Sequence, residues 1–112
     1  MANNTYKPLL IDSIKTTVDL PKQRFVGFDG NICGAGAKAL GVSDVEIEAG
    51  QYAPVGILGI FLVEAGGTIT VGQAITSDEE GKAVAVTSTE VCNGYALDNA
   101  STGEIIRIVR GI

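Results

Sequence analysis

Glycine restricts the fold of this chain more than any other feature of the sequence. Fifteen of the 112 residues are glycine, and they divide the chain into short apolar segments bounded by turn residues. Segments this short are marginal as helices, whereas short strands separated by turns roughly every 8–12 residues are typical of barrels and sandwiches. The pattern therefore predicts an all-β fold, a small barrel or sandwich, with at most a minor short helix at residues 36–40 or 88–91.

The longest apolar run covers residues 53–63 and predicts the central strand of such a fold. It is too short for a transmembrane helix, which needs about 20 residues, so we expect no membrane partner. Its continuous apolarity implies that both faces are covered, either by the core alone or by the core and a neighbouring subunit. Further strands are expected at residues 39–42, 68–71, 73–76, 83–86, 94–97 and 104–110.

Charge and proline separate the beginning of the chain from the remainder. The first 24 residues carry four basic and two acidic side chains, a net charge of +2, whereas the rest carries −7. Pro8 and Pro21 disfavour helix at the residues before them, and this segment contains no glycine. We therefore expect an extended N-terminal arm over residues 1–22 and a β-barrel-like body over residues 23–112.

An arm with so few core-type side chains is not expected to order by itself, because ordering costs roughly 1–2 kcal/mol per residue. It can order where the sheet edge of a partner supplies main-chain hydrogen bonds and pockets for apolar side chains. The arm is accordingly the part of the chain that we expect to bind a partner. Its candidate binding residues are Tyr6, Lys7, Pro8, Leu9, Leu10, Ile11, Ile14 and Lys15.

Catalytic chemistry is not indicated anywhere in the sequence. The chain has no histidine, which removes the commonest general base and the commonest metal ligand. The adjacent acids at residues 78–80 are typical of a solvated turn and lack the spacing of a calcium loop. We therefore predict no catalytic residues, no metal site and no cofactor, and we do not expect an enzyme.

The cysteines and the net charge limit the partners and surroundings of the chain. Cys33 and Cys92 lack the spacing of a zinc site and are expected as free, mostly buried thiols, although a disulfide between them stays open. The formal net charge is −5, so no basic field attracts phosphates. Nucleic acid is therefore not an expected partner.

Two stretches of the sequence have the same spacing of glycines. Gly41 is followed nine residues later by Gly50, and Gly94 is followed nine residues later by Gly103. An acidic-glycine turn precedes each pair and an apolar strand follows it. This spacing either arises by chance in a glycine-rich β protein or marks two pseudo-equivalent halves that close one small barrel. The glycines expected at structural turns are Gly30, Gly41, Gly50, Gly81, Gly94 and Gly103.

The order and spacing of these motifs resemble the small capsid decoration proteins of tailed bacteriophages, also called cement or head-stabilising proteins. The resemblance covers about residues 24–112 and depends on structural glycines and apolar positions. The stretches that carry it are Val26-Gly27-Phe28-Asp29-Gly30, Ala39-Leu40-Gly41-Val42, Glu48-Ala49-Gly50-Gln51, Val55-Gly56-Ile57, Gly66-Gly67-Thr68-Ile69, Val71-Gly72-Gln73-Ala74-Ile75, Asp78 with Gly81-Lys82-Ala83, Gly94-Tyr95-Ala96-Leu97-Asp98 and Ala100-Ser101-Thr102-Gly103-Glu104.

This resemblance implies a β-barrel-like body on the outside of an icosahedral head, where such proteins bridge capsomers and stabilise the expanded head. It also implies a homo-oligomer, a trimer or a dimer, whose partner is the major capsid protein. The protein would occupy the outer capsid surface of the virion and the host cytoplasm during assembly. Residues 1–22 do not align with the N-terminal extensions of such proteins, so the arm residues above are inferred from this sequence alone.

A surface-exposed module that binds carbohydrate or a small ligand is the alternative. Tyr52 and Tyr95 are the candidate stacking residues for such a ligand. Aromatic residues make up only 5% of the chain, which makes this alternative the weaker of the two.

Overall fold

The computed structural model describes residues 6–112, which form eight β-strands. No helix occurs among these residues, and hence none that is long and apolar enough to cross a membrane. The all-β prediction is confirmed, whereas the short helices allowed at residues 36–40 and 88–91 are irregular segments. The strands are β1 (Lys7–Lys15), β2 (Phe25–Val26), β3 (Gly41–Ser43), β4 (Tyr52–Glu64), β5 (Ala74–Ser77), β6 (Ala83–Ala85), β7 (Gly94–Ala96) and β8 (Ile105–Arg110).

The strands form one antiparallel sheet in the order β2-β3-β4-β8-β7-β5-β6, with β1 added on β4. The sheet curls until its two ends meet. At this meeting point the N–H of Phe25 in β2 donates to the carbonyl of Gly81, just before β6, at 2.8 Å. Gly66, just after β4, donates in the same way to the carbonyl of Ala83 in β6 at 2.7 Å. Of the two predicted architectures, the body is therefore the small barrel, and it is nearly closed.

Strand β4 is the longest strand, and it pairs along both of its edges. Gly56 lies opposite Ile11 of β1 and also opposite Val42 of β3. Farther along β4, strand β8 takes the place of β3, with Arg110 opposite Gly59. Strand β1 therefore covers one edge of β4, while β3 and β8 follow one another along the other edge.

The same strand supplies both hydrophobic clusters of the body. Ala53 and Val55, from its first half, pack in the smaller cluster with Leu20 and Val26. The second half contributes to the larger cluster. Its buried members are Phe25, Cys33, Ala39, Val42, Phe61, Val63, Ala65, Ile69, Ile75, Ala83, Ala96, Ala100, Ile106 and Ile108.

Two glycines let β4 serve both clusters. Gly59 has a φ angle of +124°, which residues with a side chain rarely adopt, and a Cβ there would collide with the backbone of Lys7. Gly56 is required for a steric reason, because the ring of Phe61 occupies the place where its Cβ would stand. The backbone of β4 therefore changes course between its halves while the Phe61 ring covers the gap.

The shared spacing of the two glycine pairs reflects a structural repeat, so the interpretation as two pseudo-equivalent halves is confirmed. Leu20 and Ile47 exchange a reciprocal pair of N–H···O bonds, and Ile69 and Ala100 do the same. The pairing of β3 with β4 recurs as the pairing of β7 with β8. Two further backbone hydrogen bonds recur. The N–H of Gly50 donates to the carbonyl of Thr16, as that of Gly103 does to Ala65. The N–H of Leu40 donates to the carbonyl of Val26, as that of Asn93 does to Ile75.

The repeat extends farther than the sequence indicated, because it includes β1. Ile14 of β1 lies opposite Ala53, just as Val63 of β4 lies opposite Ile106 of β8. Strand β1 is thus the counterpart of the second half of β4. Strand β4 ends the first half of the protein and begins the second.

The glycines expected at turns divide into two groups. Gly41 and Gly94 lie inside β3 and β7 and not at turns. At Gly41 the absence of a side chain leaves room for the carbonyl of Gly56. The other four have left-handed backbone conformations at turns, with φ angles of +81° at Gly30, +85° at Gly50, +76° at Gly81 and +89° at Gly103.

The strand predicted at residues 68–71 is wrong. The structure reduces it to a single bridge between Ile69 and Ala100. A tight turn replaces the rest, because the N–H of Gln73 donates to the carbonyl of Thr70 at 3.1 Å and Gly72 adopts a φ angle of +88°.

Residues 6–22 of the expected arm lie against the body of the same chain, while residues 1–5 lie outside the described residues. The edge that orders them is β4, so no partner is needed for this pairing. Thr16 is buried, and its hydroxyl donates to the carbonyls of Glu48 and Gln51 at 3.0 and 3.1 Å. Leu20 is buried in the smaller cluster, so residues 14–20 are part of the packed structure.

Replacing Gly56 tests the packing of the Phe61 ring. Gly56→Ala is expected to lower the free energy of unfolding by about 2 kcal/mol, because the ring must move away from its site in the core. Gly72→Ala is the matched control, since a Cβ at this position meets no other atom. Its expected cost is the backbone strain of a positive φ angle alone, about 1 kcal/mol. Urea denaturation measures both. Equal losses of unfolding free energy in the two variants would contradict this account. So would a Gly56→Ala loss that is no smaller when Phe61 is replaced by Leu.

The ion pair between Asp98 and Arg107 predicts a pH dependence of stability. The Arg107 side chain and backbone N–H donate to the Asp98 carboxylate at 3.0–3.1 Å, and these bonds lower the pKa of Asp98 from 3.8. The pair therefore stabilises the fold above about pH 4, and this contribution is lost as the pH falls through the lowered pKa. We expect Asp98→Asn to cost about 1 kcal/mol at pH 7, and the difference from wild type to vanish once the pH lies below the lowered pKa and Asp98 is protonated. Thermal melts across this range measure it; a difference that does not change with pH would contradict it.

Candidate functional site

Two of the expected arm residues face the protein and not the solvent. The ring of Tyr6 meets that of Phe61 edge-on, with centroids 5.8 Å apart, and burial raises the pKa of Tyr6, with the Asp44 carboxylate adding to the effect. Ile14 is half-buried against the smaller cluster. Both side chains therefore contribute to packing of the arm on the body.

The other arm residues are presented outward. Leu9 is 85% exposed, and Leu10 and Ile11 are nearly half exposed. Lys7 and Lys15 are exposed at the two ends of β1, and Pro8 is half-buried. The arm thus offers three consecutive apolar side chains to a partner, between two lysines.

The outer edge of β1 is poorly suited to receive another strand. The carbonyl of Lys7 and the N–H of Leu9 face Gly59 of β4, so the backbone of Pro8 between them faces outward, where proline has no N–H to donate. The pairing with β4 also shifts register on both sides of Leu10. Proline and bulges are features that protect sheet edges from strand addition. Contacts at β1 are therefore expected through side chains, not through main-chain hydrogen bonds as the sequence suggested.

A second exposed apolar region adjoins β1, and we call it the groove face. It consists of two adjoining hollows of about 500 and 380 Å³ that share Leu58, Val109, Arg110, Gly111 and Ile112. Ile112 is 84% exposed and Phe28 is 65% exposed. The exposed large apolar side chains that line the groove face are Leu9, Phe28, Leu58, Tyr95 and Ile112.

The charges on the groove face differ from those of the whole chain. The chain has 13 acidic residues, all within residues 6–112, yet none of these Asp and Glu side chains lines either hollow. The charged residues that do line them are Lys7, Lys38 and Arg110. The Lys38 ammonium donates to the carbonyl of Cys92 at 3.5 Å, which holds it at the groove.

Arg110 forms the floor of the groove face. It is only 8% exposed, and its guanidinium donates to the carbonyls of Leu40 at 3.1 Å, Ala39 at 3.2 Å and Gly56 at 3.5 Å. Burial lowers the pKa of Arg110, and no carboxylate within residues 6–112 forms a salt bridge with it. The side chain fills the junction where β3 and β8 meet end to end along β4.

Sequence reasoning missed this role of Arg110, although a signal was present. In the strand predicted at residues 104–110, Ile106 and Ile108 alternate with Arg107, and both isoleucines are fully buried. Residue 110 lies on the same face by alternation, so an inward arginine was predictable. Its hydrogen-bond partners were not, because they come from distant parts of the chain.

The remaining candidates for chemistry are dispersed. Within residues 6–112 no three acidic or cysteine side chains are grouped so that they could hold a metal ion. Cys33 and Cys92 are both free thiols, and burial raises the pKa of Cys33. Tyr95 lines the groove face but Tyr52 does not, so the structure does not bring the two proposed stacking residues together.

Substitution of Arg110 tests its role beneath the groove. Arg110→Met is expected to lower the free energy of unfolding by about 3 kcal/mol, because it leaves buried carbonyls without donors. Arg107→Met, on the opposite face of β8, removes a partly exposed pair and should cost about 1 kcal/mol. Urea denaturation compares the two variants. If their losses are equal, the guanidinium does not hold the β3–β8 junction.

Comparisons with known proteins agree with this architecture. The family model described as phage cement protein matches residues 7–111. Among solved structures, the chain is similar to the head fiber gp8.5 N base of bacteriophage phi29, with a TM-score of 0.74 and 20% sequence identity. The match covers 91% of this chain and 93% of that one, and at this identity it shows a shared fold. A search of curated protein sequences gives no match.

Proposed function

The chain belongs to the phage cement protein family, and from this premise we propose that it binds the outer surface of a phage head and stabilises the expanded head by bridging neighbouring capsomers. Membership confirms the resemblance seen in the sequence and supports a structural, capsid-associated role. The family match begins at residue 7, so it includes β1, which the resemblance over residues 24–112 had left outside.

Such a role needs buried contact area and no reactive groups. Packaged DNA exerts pressure on an expanded head, and a protein bound across the seams between capsomers resists it by the area it buries. The absence of histidine from the sequence and the structural character of the family both support a protein that is not an enzyme. Its acidic body disfavours adhesion to DNA and favours solubility of the free protein.

We place the first capsid contact at the outward side of β1. The single observation that carries this assignment is the exposure of Leu9, Leu10 and Ile11 on a strand that is already ordered by β4. Because the strand is ordered beforehand, binding need not offset the cost of ordering it. The arm therefore differs from the segment expected from the sequence, which would order only on its partner. Its proposed role in binding is unchanged.

The partner in this proposal is the major capsid protein, and the binding form is a homo-oligomer, a trimer or alternatively a dimer. Several weak arm contacts on one particle raise the effective concentration of the next, which favours an oligomer over a single chain. The protein would assemble in the host cytoplasm and remain on the outer capsid surface of the virion.

Binding to heads tests the proposal. The wild-type protein is expected to co-sediment with expanded heads assembled without it, and Leu10→Asp/Ile11→Asp to weaken binding at least tenfold, about 1.4 kcal/mol. Deleting residues 1–20 is a poorer test, because Thr16 and Leu20 belong to the packed body.

Val45→Asp/Val71→Asp is the matched control, since both valines are exposed to a similar degree but lie outside β1. This control should bind as the wild type does. A wild-type protein that does not bind heads would contradict the function, whereas a Leu10→Asp/Ile11→Asp variant that binds normally would remove β1 from the contact.

A further inference from the structure

We propose that the groove face is a capsid-docking surface, and that its complement on the capsid protein is an apolar projection flanked by carboxylates. This inference rests on the proposed function and adds a second contact region to it, together with the chemistry of the partner. Apart from Lys7 and Leu9, its residues are different from those assigned to the arm.

The first argument is the concentration of apolar side chains. Within residues 6–112, eleven large apolar side chains are exposed, and five of them line the two adjoining hollows of the groove face. A contiguous exposed apolar patch on a soluble protein marks an interaction surface, whereas scattered apolar residues do not. The other six are distributed over β1, the loops and the start of β4.

The second argument is that the groove is built in advance. Its floor is the junction of β3, β4 and β8, which Arg110 closes with three hydrogen bonds to backbone carbonyls. The backbone of Gly111 lies against the side chain of Leu58, and a Cβ at Gly111 would stand 2.9 Å from Leu58 Cδ2. A ligand that enters such a groove meets a floor that is already ordered, so little binding energy is lost in ordering it.

The third argument concerns charge and identifies the occupant. Lys7 stands at one hollow and Lys38 at the other, and no Asp or Glu side chain of residues 6–112 lines either. A partner with carboxylates beside an apolar projection would be attracted to these lysines and kept away from the acidic remainder of the chain. A second copy joined through the same face across a two-fold axis would instead bring lysines toward lysines. The charge pattern therefore favours the capsid protein over a symmetric pair of copies.

The test uses the full chain and expanded heads that lack it. Phe28→Ser and Lys38→Glu are the test variants, since both side chains are exposed and neither belongs to the buried clusters. Val71→Ser and Lys22→Glu are their matched controls at exposed positions away from the groove. Circular dichroism checks the fold, and light scattering gives the oligomeric state of each variant.

We expect Phe28→Ser to weaken head binding at least tenfold and Lys38→Glu to weaken it and reduce its dependence on salt, while both controls bind as the wild type does. Test variants that bind normally, beside a wild-type protein that binds, would overturn this inference and leave the proposed function intact. Loss of oligomerisation in Phe28→Ser would assign the groove to contacts between copies and also overturn it. A wild-type protein that does not bind heads would contradict the proposed function itself.

Discussion

Strand β4 is paired along both edges, and the remaining structure is arranged around that pairing. One edge holds β1, and the other holds β3 and β8 in succession. This arrangement requires a strand whose backbone changes course, which explains Gly59 with its positive φ and Gly56 beneath the Phe61 ring. It also creates a junction between β3 and β8, and the buried guanidinium of Arg110 closes it. The groove face exists because that junction lies on the surface.

Protection of the β1 edge and exposure of its side chains fit together. A strand at the border of a sheet is a template for uncontrolled association, and Pro8 with the register shifts around Leu10 reduces this hazard. The apolar side chains beside them remain available for a partner with a matching surface. Recognition through side chains is more selective than recognition through the backbone, because backbone groups are the same in every protein.

Local patterns in the sequence were sufficient for the fold class, indicated the repeat as one of two alternatives, and were insufficient for the site. Turn glycines such as Gly50 and Gly103 act through their own backbone conformations, so their spacing pointed to two halves, and the recurring hydrogen bonds decided against chance. The pairing of β1 with β4 could not be predicted, because the matching edge lies about 45 residues away and carries no sequence mark. The groove face is harder still to predict, since Leu9, Phe28 and Ile112 come to one surface only after the barrel closes.

The repeat has a consequence for how the protein unfolds. Its two halves are not independent modules joined by a linker, because residues at the middle of β4 take part in both. Loss of order in either half removes pairing and packing from the other, so we expect a single cooperative transition and no stable half-folded species. Under a mechanical load, such a molecule has no weaker module to yield first, and its resistance to strain is that of the whole domain.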